Sequence, residues 1–503
     1  MAHTAAAPDT VSPGRSGSPA EAAGPRHRWW VLAVIGLAQL MVVLDATIVN
    51  IALPSAQADL GFSDGNRTWI VTAYSLAFGS LLLLGGRIAD LFGRKPAFLV
   101  GVSGFAAASA VAGAATGFEM LVAGRALQGL FGALLAPAAL SLLTTTFTDP
   151  KERAKAFGIF GAIAGSGAAV GLLLGGVLTE YLDWRWTLYV NLFIAAFAIV
   201  GGSLLLRRTA RDPGAKLDIP GTVLVTTGLF GIVYGFSNAE SHDWSSPLSW
   251  GFLAAGTALL ALFTWWQTKA SHPLLPLRVL LDRDRGASFT AMLISSAGMF
   301  GVFLFLTYYL QLSLGFSAVR TGLAFLPMVG ALMVSATLST SVLLPRVGPK
   351  TVVPLGMVLG AAGMVWLTAL GLDSTYAADV LPPLLVTGLG IGLIMAPAMS
   401  VATSGVATED AGVASASVNT MQQIGGSIGT ALLNTLAASA ATSYLAGKDP
   451  SDKLTQARAA LESYSAAYWW SAGFFAVGAL VTALLYRRGV PAVDADAAPT
   501  VHM

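Results

Sequence analysis

The sequence predicts an all-α polytopic membrane protein with fourteen transmembrane helices, arranged as two six-helix bundles plus two extra helices, and with both termini cytoplasmic. Three observations carry this expectation. First, 55% of the 503 residues are hydrophobic, only 11% are charged, and the mean hydropathy is +0.70, far too apolar for a soluble domain of this size. Second, apolar runs of about 20 residues, enough to cross a hydrocarbon core of about 30 Å, recur almost from end to end. Third, Lys and Arg concentrate in alternate loops on the side of the N-terminus, and that bias sets orientation.

The elements follow in order. Residues 1–28, rich in Ala, Pro, Gly and Ser, read as a disordered cytoplasmic tail that ends in the basic anchor Arg26-His27-Arg28, before the interfacial pair Trp29-Trp30. Residues 29–206 hold six apolar runs, the N-terminal bundle. Residues 207–286 hold two inserted runs and their linkers, residues 287–486 hold the C-terminal six, and residues 487–503 form a second cytoplasmic tail. With the inserted pair set aside, two halves become visible. The loop after the second run, Gly85-Gly86-Arg87-Ile88-Ala89-Asp90-Leu91-Phe92-Gly93-Arg94-Lys95-Pro96, and the loop after the tenth, Leu344-Pro345-Arg346-Val347-Gly348-Pro349-Lys350, are both short, basic and Gly-bearing. Such a repeat fits a transporter of two parallel halves that binds substrate near the midplane.

Asp45 and Arg125 are the only charges well inside any span. A charge at mid-bilayer costs at least about 2.5 to 3.5 kcal/mol, so each must face a cavity or a partner. At 1.5 Å per residue Arg125 lies about 9 Å from one end of its helix and Asp45 about 13 Å inside Pro54, at similar depth. Mutual proximity is the least costly way to bury both. Asp45 also points about 120° away from the nearly eclipsed Gln39 and Asn50, which gives the first helix two polar directions.

Other spans carry weaker signals. Arg125, Gln128, Gly129, Gly132 and Ala136 share one helix face. Gly167, Gly171 and Gly175, with Gly176 beside them, form a small-residue stripe that permits close helix contact. Asn419, Gln422, Gln423, Gly426, Thr430 and Asn434 make a polar stripe, read either as helix glue or as a cavity wall. Tyr308 and Gln311 could add to that surface, although an aromatic belt explains Tyr308 almost as well. In the first loop Gly86 and Gly93 are expected to allow a tight turn, and Asp90 to accept from helix N-termini or pair with Arg94.

The Gly-x-x-x-Asp-x-x-Gly-Arg-Lys loop resembles the signature of the major facilitator superfamily, with Leu91 where the family usually has a basic residue. The glycine-rich fifth span, continuing into Trp184-Arg185-Trp186 and Tyr189-Val190-Asn191, resembles its antiporter helix, with Ala168 and Leu172 where that pattern tends to have proline. Leu44 to Pro54 is similar to the first-helix motif of its fourteen-span drug:proton antiporters, the EmrB/QacA-type branch, some of which carry a further acid in the tenth span that is missing here. The resemblance implies a major facilitator fold and efflux of drugs or antibiotics.

The expected function is proton-coupled export of lipophilic small molecules. Asp45 and Arg125 couple the proton, Asn50, Gln128, Tyr308, Gln311, Asn419 and Gln422 line the path, and Gly86, Asp90, Gly93, Arg94 and Lys95 gate the cytoplasmic side. The expected setting is a bacterial plasma membrane, with a monomer exchanging substrate for protons across the bilayer. No nucleic-acid partner, resident cofactor or enzymatic activity is expected, and the proton gradient is the energy source, since no phosphate-binding loop of the Gly-x-x-x-x-Gly-Lys-Ser/Thr type occurs. Cysteine is absent, and the five histidines fall in tails or loops, so no metal site is expected. An importer or facilitator on the same fold is the nearest alternative; a membrane-embedded enzyme or receptor is a more distant one.

Overall fold

The computed structural model describes residues 25–147, 149–206, 218–242, 245–271, 273–275, 277–404, 411–449 and 451–489. Most of both expected tails lies outside these residues. Among them the only regular structure is helical.

The N-terminal half comprises α1 (Pro25–Leu60), α2 (Asp64–Phe92), α3 (Arg94–Gly113), α4 (Phe118–Thr146), α5 (Pro150–Tyr181) and α6 (Trp186–Leu205). A pair follows, α7 (Ile219–His242) and α8 (Pro247–Gln267). The C-terminal half comprises α9 (Arg283–Tyr308), α10 (Ala318–Leu338), α11 (Pro349–Leu367), α12 (Leu381–Thr403), α13 (Ala411–Leu445) and α14 (Lys453–Leu485). Wider π-helical turns at Tyr309–Ser313 and Ser339–Leu343 extend α9 and α10, and another at Tyr376–Val380 leads into α12. Polar caps start several helices: Ser63 accepts from the Asn66 amide at α2, Ser317 from Arg320 at α10, and Asp282 from Asp284 and Arg285 at α9.

Twelve described segments are long and apolar enough to cross a membrane. The two other long helices are α2 and α5, of 29 and 32 residues.

The two halves repeat one packing scheme. In the first, α2 and α3 pack on α4, α1 on α5 and α6, and α3 on α6; in the second, α10 and α11 pack on α12, α9 on α13 and α14, and α11 on α14. The repeat extends to single residues. A Cβ added at Gly129 of α4 would fall 2.3 Å from the Tyr74 carbonyl oxygen of α2, and one at Gly388 of α12 would fall 2.3 Å from the Met328 carbonyl oxygen of α10. Both helices therefore need a glycine where they cross their neighbour. The two basic loops match as well: Gly93 (φ 95°) and Gly348 (φ 72°) each turn the chain in a conformation that favours glycine.

Gly86 does not belong to its turn, contrary to expectation. Helix α2 continues to Phe92, and the close crossing falls on Gly85, whose added Cβ would lie 2.0 Å from the Ala133 carbonyl oxygen, whereas at Gly86 the nearest atom is 3.6 Å away. The halves meet through α2 against α13 and α5 against α10. Helix α7 covers one side of that seam, touching both α2 and α13, and α8 packs on α7 through glycines.

Candidate functional site

Inside the N-terminal half, α1, α3, α4 and α6 converge on one buried carboxylate. Asp45 is fully buried, as are Ser109, Gln128 and Asn191, and Arg125 is 1% exposed. Arg125 Nη1 donates to Asp45 Oδ2 at 2.5 Å and to Gln128 Oε1 at 2.8 Å. Its Nε donates to the Ile70 carbonyl oxygen of α2 at 3.1 Å, and its guanidinium stands 4.5 Å from the Tyr74 ring centroid. The other carboxylate oxygen, Oδ1, accepts from Gln128 Nε2 at 2.8 Å and from Asn191 Nδ2 at 2.7 Å. Both amides also donate to Ser109 Oγ, at 2.7 and 3.3 Å.

The local sequence explains the assembly. Arg125 and Gln128 are one turn apart on the face of α4 that Gly124 and Gly129 bring against α3 and α2. On the other side of α1 the glycine stripe of α5 sets the helix: added Cβ atoms at Gly167, Gly171 and Gly175 would strike Val43, Thr47 and Ile48, while one at Gly176 would strike α10 at Ala318. Among the described residues, every polar contact of the carboxylate is thus made by a side chain within its own half. Removing one partner of such a pair leaves an uncompensated charge, at a cost of about 3–5 kcal/mol.

A second polar group closes the seam between halves at the end remote from the N-terminus. Tyr308 Oη donates to Gln57 Oε1 at 2.5 Å, and Gln311 Nε2 donates to the Ile51 carbonyl oxygen at 3.1 Å. The Arg67 guanidinium lies 4.2 Å from the Tyr308 centroid and 5.6 Å from that of Phe305. Glu180 at the end of α5 accepts from the Val319 amide in the first turn of α10, at 2.9 Å, where a helix N-terminus favours negative charge. Tyr308 and Gln311 therefore hold this end shut.

The remaining candidates are dispersed. Asn50 is buried and bonds its own helix at the Ala46 carbonyl, away from Asp45. Asn419 and Gln422 lie half-buried on α13, whose neighbour Gln423 packs against α2 at Gly79. Lys95 donates to the Ser203 and Leu206 carbonyls at the end of α6, inside its own half. The Asp90 side chain lies outside the described ones, and Arg94 joins neither cluster. Arg87 reaches the Pro273 carbonyl at 3.3 Å, tying the loop to the segment after α8. Ser109, Arg67 and Asn191 are not among the residues that the sequence singles out for a role. Of these only Arg67 carried a signal, a charge four residues beyond the capping Ser63.

Two parallel helical halves that meet through α2 and α13 and through α5 and α10, with an ionisable pair buried inside one of them, have the architecture of a membrane transporter. The chain belongs to the major facilitator superfamily, which it matches over residues 35–430. It is 48% identical over 477 residues to a puromycin resistance protein, pur8, of Streptomyces alboniger, covering 94% of both chains. It is 38% identical over 409 residues to the cephamycin export protein CmcT of Amycolatopsis lactamdurans, covering 80% of this chain and 83% of that one. Among solved structures it resembles an auto-inhibited POT family peptide transporter, with a TM-score of 0.65 at 17% identity, covering 93% of this chain and 98% of that one. That likeness concerns the fold alone.

Proposed function

We propose that this chain is a proton-coupled exporter of lipophilic small molecules, of the fourteen-span drug:proton antiporter branch, with α2 and α5 completing the fourteen spans and both termini in the cytoplasm. The buried Asp45–Arg125 pair carries the reading. A carboxylate with no solvent contact, held by a cation and two amides, changes protonation state only when its surroundings rearrange, which is what coupling requires. The export direction is supported by relatives named for antibiotic resistance or export, among them one for tetracenomycin C from Streptomyces glaucescens. With the termini cytoplasmic, the end that Tyr308 and Gln311 close faces outward.

The cycle follows from charge. Deprotonated, Asp45 holds Arg125, and α1 stays locked to α4. Protonation removes the ion pair, frees the guanidinium, and loosens α1 against the seam that Gln311 and Tyr308 close. The test is uptake of a panel of antibiotics, beginning with puromycin, into everted membrane vesicles under an imposed proton gradient. The expected result is accumulation by the native chain and none by Asp45→Asn. Undiminished gradient-driven uptake by the variant would sink the assignment, and substrate moving only outward from such vesicles would mark an importer.

A further inference from the structure

Resting on that reading, we propose that protons reach the Asp45–Arg125 pair through a crevice of its own inside the N-terminal half, separate from the seam that carries substrate, with Trp184 as its lid. The crevice runs between α1, α2, α4 and α6, walled by Val49, Leu53, Ile70, Leu121 and Leu188, and it ends on Arg125. All of these walls belong to one half, and none is contributed by the helices across the seam. Its far end lies beneath Trp184, which is 4% exposed. The indole N–H donates to Asp59 Oδ2 at 3.1 Å, and the same oxygen accepts from Arg185 Nη1 at 2.7 Å. Arg185 in turn lies over the Trp184 ring and donates to the Ala115 carbonyl at 3.1 Å. Asp183 stands 3.6 Å from Arg185. Asp59 and Arg185 are part-exposed, so the latch stands at an aqueous boundary while the pair below it is dry.

The chemistry of the walls fits a proton path that is closed at rest. An apolar gap stays dry until it widens, and a dry gap does not conduct. Release of Trp184 from Asp59 admits a short file of water, whose inner end meets the Arg125 guanidinium, one hydrogen bond from Asp45 Oδ2. Once the guanidinium moves off Asp45 Oδ2, a hydronium at the inner end of the file transfers its proton to that oxygen, leaving water and a neutral carboxylic acid. While the pair is intact, the Arg125 charge repels the incoming cation and suppresses leak. The seam stays free for an apolar substrate, which need not share its path with water.

The chain contains no cysteine, so a single introduced thiol reports on the crevice directly. Full-length Leu53→Cys is reconstituted in liposomes with an internal pH dye and treated with 2-hydroxyethyl methanethiosulfonate. Ala139→Cys, buried elsewhere in the same half, serves as the reference. The expected result is labelling of Leu53→Cys alone, at least about fivefold faster with Asp59→Asn added, and a tenfold or greater loss of proton flux after labelling. Trp184→Phe removes the indole N–H and part of the lid's bulk and is expected to raise substrate-free proton leak. The crevice is overturned if Leu53→Cys is as inert as the reference with and without Asp59→Asn, or is labelled with flux unchanged. If Asp45→Asn still abolishes flux in those cases, the antiporter reading stands without it. Flux that survives Asp45→Asn overturns the antiporter reading, and the crevice proposal with it.

Discussion

The two halves share a fold but not a chemistry. The matching crossings at Gly129 and Gly388 set the register of α4 against α12. In that register Leu384 takes the place of Arg125, and Thr387 that of Gln128. Both C-terminal residues are fully buried, and Thr387 only bonds the Pro383 carbonyl on its own helix. Helix α12 holds no charge at all, and the C-terminal interior is filled instead by aromatics such as Phe305, Tyr309, Tyr464 and Tyr468. Packing was repeated, while the ionisable machinery sits in one copy. On the proposed reading, a half that only rocks needs no buried charge, whereas a half that holds and releases a proton needs one with exchangeable partners.

The sharpest way to break this contrast is to change one residue in each copy. Arg125→Lys keeps the charge but loses the planar fork that now reaches Asp45, Gln128 and the Ile70 carbonyl together. Gradient-driven export is expected to fall at least ~100-fold, because a point charge cannot hold Asp45 and its neighbours in one arrangement. Thr387→Val removes a bond internal to one helix and is expected to change export by less than about threefold. Comparable losses in the two variants, measured in vesicles at equal protein, would show that both copies take part in coupling.

A second comparison tests what the halves do share. Gly129→Ala and Gly388→Ala each push a methyl group to 2.3 Å from a backbone carbonyl oxygen, so the crossing helices must separate. Each is expected to cost about 1–3 kcal/mol, as overpacking does, and to lower the midpoint of thermal unfolding in detergent by similar amounts. Unequal shifts would mean that one crossing tolerates separation and that the repeat is looser than its backbone suggests.

These contrasts also explain what the sequence made legible. Asp45 and Arg125 stood out because charges are rare at that depth, and matching depths brought them together before any tertiary structure was known. Gly93 and Gly348 stood out because turns need glycine. Ser109 and Asn191 did not, since uncharged polar residues in spans are common and only the convergence of α3 and α6 makes these two partners of the carboxylate. Gly85 and Gly86 show the limit of loop reading. One residue along a helix is a rotation of about 100°, and a sequence cannot say which of two adjacent glycines meets α4. The sequence places Tyr308 and Gln311 on a path; in the closed end they bond α1, a role that depends on which conformation the chain adopts.

The smallest expected effect lies in the inserted pair, which has no counterpart in either half. Asp218 precedes α7 and ties it to α8: its carboxylate accepts from Gln267 Nε2 and Trp266 Nε1, each at 2.8 Å, and from the Gly221 amide at 2.9 Å. Burial pushes the Asp218 carboxyl upward, but those hydrogen bonds outweigh it and hold the group below the usual carboxylate range. A carboxylate depressed in the folded state adds stability above its unfolded pKa of about 3.9, and that contribution is lost as pH falls through the lower folded value. Asp218→Asn is therefore expected to destabilise the chain at neutral pH by about 1 kcal/mol or less, given partial solvent screening. The gap between native and variant chains should narrow below about pH 4. Thermal unfolding of both at neutral and acid pH checks the sign. A gap that widens on acidification would mean that the neutral acid is the better partner for Trp266 and Gln267. Export should change little either way, because α7 covers the seam from outside, α8 packs on α7, and neither supplies a partner to the Asp45–Arg125 pair.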